Sequence, residues 1–518
     1  MMAHFYVAPQ RNQDFLLAVN MADWLEKGHL AFFVIDVVAR LDTTALHARH
    51  PNDGAGRPAY DPDMMLALVL YAYANGVRSS RRIEATCRTD AAYRVISGAL
   101  VPDHSTIARF VVDHQGAMEG LFVSGLRLCH AAGLVDLSVL ALDGTKLGSD
   151  SALDRNRDAE WIRARIGELM AETVASETTV ATDTPLFDVA GAGGLATAKG
   201  RRAVLEAALA VIEADDAQAA AAVAAKTALQ AKEAEAGRKV PGRKPQDPAA
   251  ALERARVDRA AALQASEQRA ARRAQRVAAA EEAGHKLGGR PPGPDLALAA
   301  ADAALAAAEA AAGSAPPPPR RPVNITDPES RIMKTKDGWV QGFNAQALVT
   351  KDQIVVAASV TQDANDVGQF IPMLARLSAT LAAARVDDPV ELILADAGYW
   401  SDANATAEGP ERLIATIKDW KQRTAAREAG TTTGEPPEDA SPLESMEHRL
   451  RTAEGAAAYA QRSFMVEPVF GDHKHNRGQR RFRRRGLAAA NAEWHLMNLT
   501  GNMRKLFEHT KAPAATPA

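Results

Sequence analysis

Cysteine is nearly missing from these 518 residues: only Cys87 and Cys129 occur, and no metal-ligand spacing joins them. That excludes a disulfide scaffold and a cysteine zinc site, and it suits a reducing compartment. A charge excess is missing too, since 61 Lys and Arg against 64 Asp and Glu leave a formal charge of −3. The balance carries no global signature of nucleic-acid binding, although acidic segments can hide a local basic patch. The opening stretch MMAHFYVAPQRNQDF lacks a basic-then-apolar signal pattern, and no apolar run reads as long enough to span a bilayer. The expectation is a soluble, cytoplasmic chain with no membrane partner, and with length for two or three domains.

What is present falls into four zones. Residues 1–135 read as a helical domain. DPDMMLALVLYAYANG places Met65, Leu68, Val69 and Ala72 at helical spacing and stops at Gly76. Ser79 is placed to cap a short basic helix, SSRRIEATC, and Asp103 or Ser105 to cap DHSTIARFVVDHQGAMEGLF. Short helices between Gly turns permit a helix-turn-helix-like module that offers Arg78, Arg81 and Arg82 to phosphates. A plain helical bundle with solvated arginines accounts for them equally well.

The second zone, 136–154, holds LSVLALDG (137–144), with the apolar density of a buried strand ending in a tight turn. The third, 155–320, is an Ala-rich insert with helical stretches near 201–236 and 249–283. It breaks at GRKVPGRKPQDP and KLGGRPPGPD, and APPPPRRP closes it after a third Ala-rich helix. An antiparallel helical hairpin and a partly disordered arm are both open readings, with dimerisation or DNA contact as the expected use.

In the fourth zone, 321–510, WVQGFNAQALVT and QIVVAASVT predict an antiparallel pair joined by Lys351-Asp352. An apolar helix, VGQFIPMLARLSATLAAA, leads to the buried strand ELILAD (391–396), and RLIATI (412–417) is a further strand. A loop is expected over 421–445, and the chain from about 455 reads as helical and basic.

Three acids stand out in this order. Asp143 and Asp396 each end a strand, and Glu467 lies in the helical region beyond. Two carboxylates at neighbouring strand ends and a third from a crossing helix form an oxygen-lined site suited to hard divalent ions such as Mg²⁺. Two ions about 4 Å apart serve phosphoryl transfer by stabilising both attacking and leaving oxygens. Taken singly, each acid has an ordinary explanation: a turn or cap for the aspartates, and a helix starting at Pro468 for Glu467. The order on successive elements, followed by a basic tract, favours the site. That tract, FGDHKHNRGQRRFRRRG (470–486), carries Lys474, Arg477, Arg480, Arg481, Arg483, Arg484 and Arg485 against Asp472 alone, with Phe482 among the arginines. It has the charge of a phosphate-tracking surface.

At these residues the chain resembles the DDE transposases of bacterial insertion sequences, particularly the group with an InsH-like N-terminal domain. The resemblance rests on four stretches. They are GRPAYDPDMMLALVLYAYANGVRSSRRIE with PDHSTIARF; LALDGTKL; TDPESRIMKTKDGWVQGFNAQALV with ILADAGYWS; and VEPVFGDHKHNRGQRRFRRRGLAAANAEWHLMNLTGNMRKL. It implies an α/β fold: an RNase-H-like mixed sheet with helices, preceded by an all-helical N-terminal domain and interrupted by the long helical insert. It also implies a metal triad of Asp143, Asp396 and Glu467 and two bound Mg²⁺ or Mn²⁺ ions. The partners would be double-stranded DNA, as terminal inverted repeats and target, with a homodimer or larger assembly on the nucleoid. The family signature Tyr-x2-Arg-x3-Glu-x6-Lys falls on Tyr459, Arg462, Glu467 and Lys474, with one extra residue between Arg462 and Glu467. On a continuous helix Glu467 and Lys474 share a face, so Lys474 is expected to hold a phosphate beside the ions. If Glu467 is not the third acid, Asp472 and Glu493 are the nearest substitutes. A nuclease on the same fold without strand transfer, and an inactive DNA-binding or assembly protein of transposase descent, are the competing readings.

Overall fold

Alternation along the strands builds the centre of the molecule. In a computed structural model that describes residues 20–48, 59–177, 198–235, 248–282, 284, 295–314, 322–417 and 430–511, six strands form one sheet. They are β1 (Val139–Gly148), β2 (Arg331–Thr335), β3 (Gly338–Thr350), β4 (Val355–Thr361), β5 (Leu392–Ala395) and β6 (Glu411–Ile414). The order is β4-β3-β1-β5-β6. The β4–β3 and β3–β1 pairs are antiparallel, whereas β1–β5 and β5–β6 are parallel. The short β2 pairs with the first residues of β3, from Gly338 to Gly342.

Successive side chains leave opposite faces of a strand, and here both faces are covered. Ala141, Ala345, Ala347, Val349 and Leu394 pack into one core together with the N-terminal helices and the last helix. Their sequence neighbours Leu140, Leu142, Leu348, Ile393 and Ala395 pack into a second core with Phe370, Met373 and Leu377. Those three belong to the helix Phe370–Ala384. Among the described residues, the segment Val367–Ala384 alone has the length and apolarity to cross a membrane, against the expectation that no run reaches this length. Its buried side chains lie on the sheet instead.

Four further helices position the site: α1 (Pro62–Ala74), α2 (Ser80–Thr89), α3 (Arg462–Gly471) and α4 (Leu487–Lys511). Met65 to Ala74 are buried on every side of α1, which makes it a core helix rather than an amphipathic surface one. The turn after it contains Gly76, whose φ is +73°. A Cβ there would lie 2.7 Å from the Arg477 carbonyl oxygen, so the turn admits only glycine. Asp103, not Ser105, caps the helix His104–Asp113, accepting from the Ser105 and Thr106 amides. Ser79 precedes α2 as expected but makes no side-chain cap hydrogen bond.

Met1–Arg155 and Thr326–Ala518 make up one unit, and Asn156–Ile325 a second. The second consists of helices Ala159–Glu177, Ala198–Glu235, Pro248–Glu282 and Leu296–Ser314, with a two-residue ladder between Asn156–Arg157 and Val323–Asn324. Ala159, Ile162, Leu169, Leu205, Ala208 and Ile212 form its small core. Arg259–Asp302 and Arg269–Asp295 tie the third helix to the fourth. The Gly/Pro breaks read in the sequence lie mostly outside the described residues.

Candidate active site

Strand β1 does not end at Asp143, as LSVLALDG suggests; it runs on to Gly148. Asp143 sits inside the strand opposite Ala347, one residue past the last β1–β5 pair, Leu142–Ala395. Asp396 is the residue that follows Ala395 on β5, so parallel pairing sets the two aspartates side by side. A turn or helix cap would account for a lone strand-end aspartate. Asp143 is not explained that way, because β1 continues past it; Asp396 does open a turn, accepting from the Gly398 amide, and also converges with Asp143.

Between them stands a cation. Arg462, the first residue of α3, places Nη2 2.8 Å from Asp143 Oδ2 and 3.8 Å from Asp396 Oδ2. Tyr459, one turn earlier, donates its hydroxyl to the Ala395 carbonyl at 3.2 Å. The Gly398 amide donates to Asp396 Oδ1 at 2.7 Å, and the Gly144 amide to Asp143 Oδ1 at 2.8 Å. Burial pushes the Asp143 carboxyl up to about 6; Arg462 opposes this, while Asp396 and Asp366 add to it.

Asp366, which the sequence reading passed over, is a third acid at this end of the sheet. Its Oδ1 accepts from Asn344 Nδ2 at 2.7 Å and Gln346 Nε2 at 2.9 Å, and Lys146 Nζ lies 3.3 Å away. The cluster is packed tightly enough that a Cβ on Gly144 would stand 2.6 Å from Asp366 Oδ1. A Cβ on Gly398 would be 2.8 Å from Asp396 Oδ1 and 3.4 Å from Asp366 Oδ2. Tyr399 bonds Gln346 Oε1 and is fully buried; burial and then Asp366, Asp143 and Asp396 hold its phenol well above the usual tyrosine range. One signal was legible: Asn344 and Gln346 alternate as polar residues among the apolar Phe343, Ala345, Ala347 and Leu348, all of them buried. Buried amides of this kind need partners, and Asp366 supplies them.

The third predicted acid is more exposed than the other two. Glu467 lies on the exposed side of α3, between buried Val466 and Val469, with no hydrogen bond or ion pair among the described residues. Pro468 is inside α3 rather than at its start. Beyond Gly471 the helix widens into a π turn, Asp472–Asn476, so the α-helical count that put Lys474 on the face of Glu467 does not hold. Lys474 nevertheless feels Asp143. Burial, then Lys336 and Arg480, lower its ammonium pKa, while Asp143 raises it. The two substitute acids are both committed elsewhere. Asp472 pairs with Arg477 at 2.7 Å and with Arg504 at 3.2 Å, and Glu493 is buried against Arg78.

The basic tract is not one solvated face, and it is not helical beyond Asn476. Arg477 is buried, donating to the Met497 carbonyl and to Thr500 Oγ1. Arg78 Nη1 reaches Glu493 Oε1 at 3.1 Å with both side chains buried, and Arg484 donates to Val111 O and Gln115 Oε1. Phe482 is fully buried. Arg477, buried and held by internal acceptors, is not offered to solvent, whereas Arg78 and Arg484 make internal hydrogen bonds and also line the cavity beside Arg483 and Arg485. Arg81, Arg82, Arg480, Arg481, Arg483 and Arg485 remain exposed. Arg480 bonds the Lys474 carbonyl, and Arg481 and Arg485 flank Asp150. Arg483 and Arg485 line a cavity of about 560 Å³ with Ser79 and Ser80 at the start of α2.

Residues 19–113 match the family described as a transposase domain (DUF772), and residues 421–507 match a transposase DDE domain. The first covers most of the N-terminal helices. The second covers the helices bearing Tyr459, Arg462, Glu467 and Lys474, but not the strands that carry Asp143 and Asp396. Together the two matches support a DDE transposase of an insertion sequence. No curated protein and no solved structure matches the chain.

Proposed function

We propose that this transposase cuts DNA at the ends of an insertion sequence and joins the freed 3′-hydroxyls to target DNA. In this reading Asp143, Asp396 and Glu467 hold two Mg²⁺ or Mn²⁺ ions. The observation that carries it is the side-by-side placement of Asp143 and Asp396 where β1 and β5 part. The strand order β4-β3-β1-β5-β6, antiparallel on one side of β1 and parallel on the other, supports an RNase-H-like fold for this unit.

The donors fit hard divalent cations. All are carboxylate oxygens, a positive group already fills the gap between two of them, and the cost of burying Asp143 ionised calls for a counter-charge. When bound, such ions activate a water or hydroxyl as nucleophile and stabilise the leaving oxygen. The chain's own groups do the positioning. The Gly144 and Gly398 amides hold one oxygen of each aspartate, and the other oxygen of each turns toward Arg462. Glu467 faces solvent from α3 without an internal partner among the described residues, as a group that turns inward only with its ligand would. Lys474, whose ammonium interacts with Asp143, is a further cation for a phosphate on this side of the site.

Incubation of pre-cut end oligonucleotides with supercoiled plasmid and Mg²⁺ or Mn²⁺ tests the reading. Joined product is expected with the wild-type chain and none with Asp143→Asn or Asp396→Asn. Cleavage without joining would reduce the protein to a hydrolytic nuclease.

A further inference from the structure

Arg462 occupies the gap that the proposed function assigns to a divalent cation. Its guanidinium is largely withdrawn from water, with a side-chain exposure of 13%, and spans Asp143 and Asp396 on one edge. Its Nε is buried and has no hydrogen-bond partner among the described residues, so the group is incompletely satisfied where it lies. The backbone beneath it is anchored separately, through the Tyr459 hydroxyl on the Ala395 carbonyl. The side chain can therefore leave the carboxylates without moving the helix.

Two positive groups cannot both be held at close range by one pair of carboxylates without mutual repulsion. A guanidinium displaced from carboxylate is best received by phosphate, whose oxygens match the same planar fork. Phosphate is what a DNA substrate would bring to this end of the sheet, where Lys146 Nζ already lies 3.3 Å from Asp366 in the same cluster.

We propose that Arg462 is an exchangeable counter-ion. It offsets part of the charge of Asp143 and Asp396 in the DNA-free chain and passes to a DNA backbone phosphate when the duplex docks, releasing the carboxylates for the metal. The inference rests on the metal-assisted reading above. It makes metal and DNA binding mutually reinforcing, and linkage requires the coupling to be reciprocal.

Mn²⁺ binding to the full chain, followed by calorimetry and by the Mn²⁺ electron-spin-resonance signal, reads this without any activity assay. Arg462→Gln should bind Mn²⁺ roughly tenfold more tightly than wild type in the absence of DNA. A short double-stranded oligonucleotide should tighten Mn²⁺ binding to the wild type and leave Arg462→Gln nearly unchanged. Equal or weaker Mn²⁺ binding by Arg462→Gln overturns the proposal, as does a wild-type affinity indifferent to DNA. The second measurement needs no variant, so it decides even if Arg462→Gln fails to fold. Asp143→Asn and Asp396→Asn serve as separate controls. If both keep wild-type Mn²⁺ affinity, the metal-site reading itself fails, whatever Arg462 does.

Discussion

Arg462 Nη2 lies 2.8 Å from Asp143 Oδ2, joining a helix near the end of the chain to a strand more than three hundred residues earlier. The pair does not fully compensate Asp143, whose carboxyl stays raised to about 6 from the ordinary aspartate value of 3.8. An acid with a raised folded-state pKa costs stability above that pKa and costs nothing below its unfolded value. In the metal-free chain this penalty is therefore present at neutral pH and fades between about 6 and 3.8. Asp143→Asn should raise the melting temperature by a few degrees at pH 7.5 and leave it unchanged near pH 4, while abolishing DNA cleavage. A lower melting temperature at pH 7.5 would show that the Arg462 pair is net stabilising.

His473 works in the opposite direction. Burial, then Arg477, lower its pKa from 6.5 to about 3. The unfolded chain takes up a proton between those values and the folded chain does not, so stability falls as pH drops through 6.5. At pH 4 this cost is of the same order as the opposing relief from Asp143 and from Asp327, whose carboxyl burial also raises to about 6. His473→Gln should therefore lose less urea stability between pH 7 and pH 4 than the wild type does. An unchanged slope in His473→Gln would move the acid sensitivity elsewhere.

Arg78 and Glu493 form a buried pair that ties the start of α2 to α4 across 415 residues of sequence. Removing one partner strands a charge in the core. Arg78→Met or Glu493→Gln alone should cost about 3–5 kcal/mol in equilibrium unfolding. The double substitution Arg78→Met with Glu493→Gln should cost less than the sum, because no lone charge is left behind. Additive losses in the cycle would show that the two side chains do not act as a pair.

The exposed and buried arginines should separate in a DNA-binding titration. Arg81→Ala, Arg82→Ala and Arg483→Ala combined should weaken duplex binding. The slope of log K against log salt should shrink by about 0.9 for each phosphate that is no longer neutralised. Arg477→Ala should instead lower stability with little change in that slope, since its guanidinium is held by Met497, Thr500 and Asp472. A reduced slope in Arg477→Ala alone would return that residue to the DNA surface.

Asp366→Asn removes the charge facing Lys146 while keeping a similar shape between Asn344 and Gln346. The expected result is a loss of cleavage of roughly tenfold or more, with a far-ultraviolet spectrum like the wild type. Wild-type cleavage would make Asp366 a packing residue only.

Local pattern went far in the sequence. The strands around Asp143 and Asp396, the antiparallel pair β3–β4, and the long insert helices all announce themselves through apolar periodicity and turn residues, although the β3–β4 connection spans 351–354 rather than Lys351-Asp352 alone. So does the charge of the 470–486 tract. These features survive because each depends on a handful of neighbouring residues, whose backbone preferences and side-chain alternation need nothing from the rest of the chain.

Other features were settled only when distant segments met. A run of arginines does not say which guanidiniums will find internal acceptors; Arg477 did and Arg483 stayed exposed, according to the carbonyls and carboxylates that α4 brought near. Asp366 precedes a short helical turn like any surface aspartate and becomes part of the acidic cluster only because β1 and β3 align Lys146, Asn344 and Gln346 beneath it. Asp143 needed parallel pairing with β5 to gain Asp396, and α3 to gain Arg462. Charge and hydrogen bonding act over a few ångströms in space whatever the separation in sequence, and that proximity is a property of the folded chain.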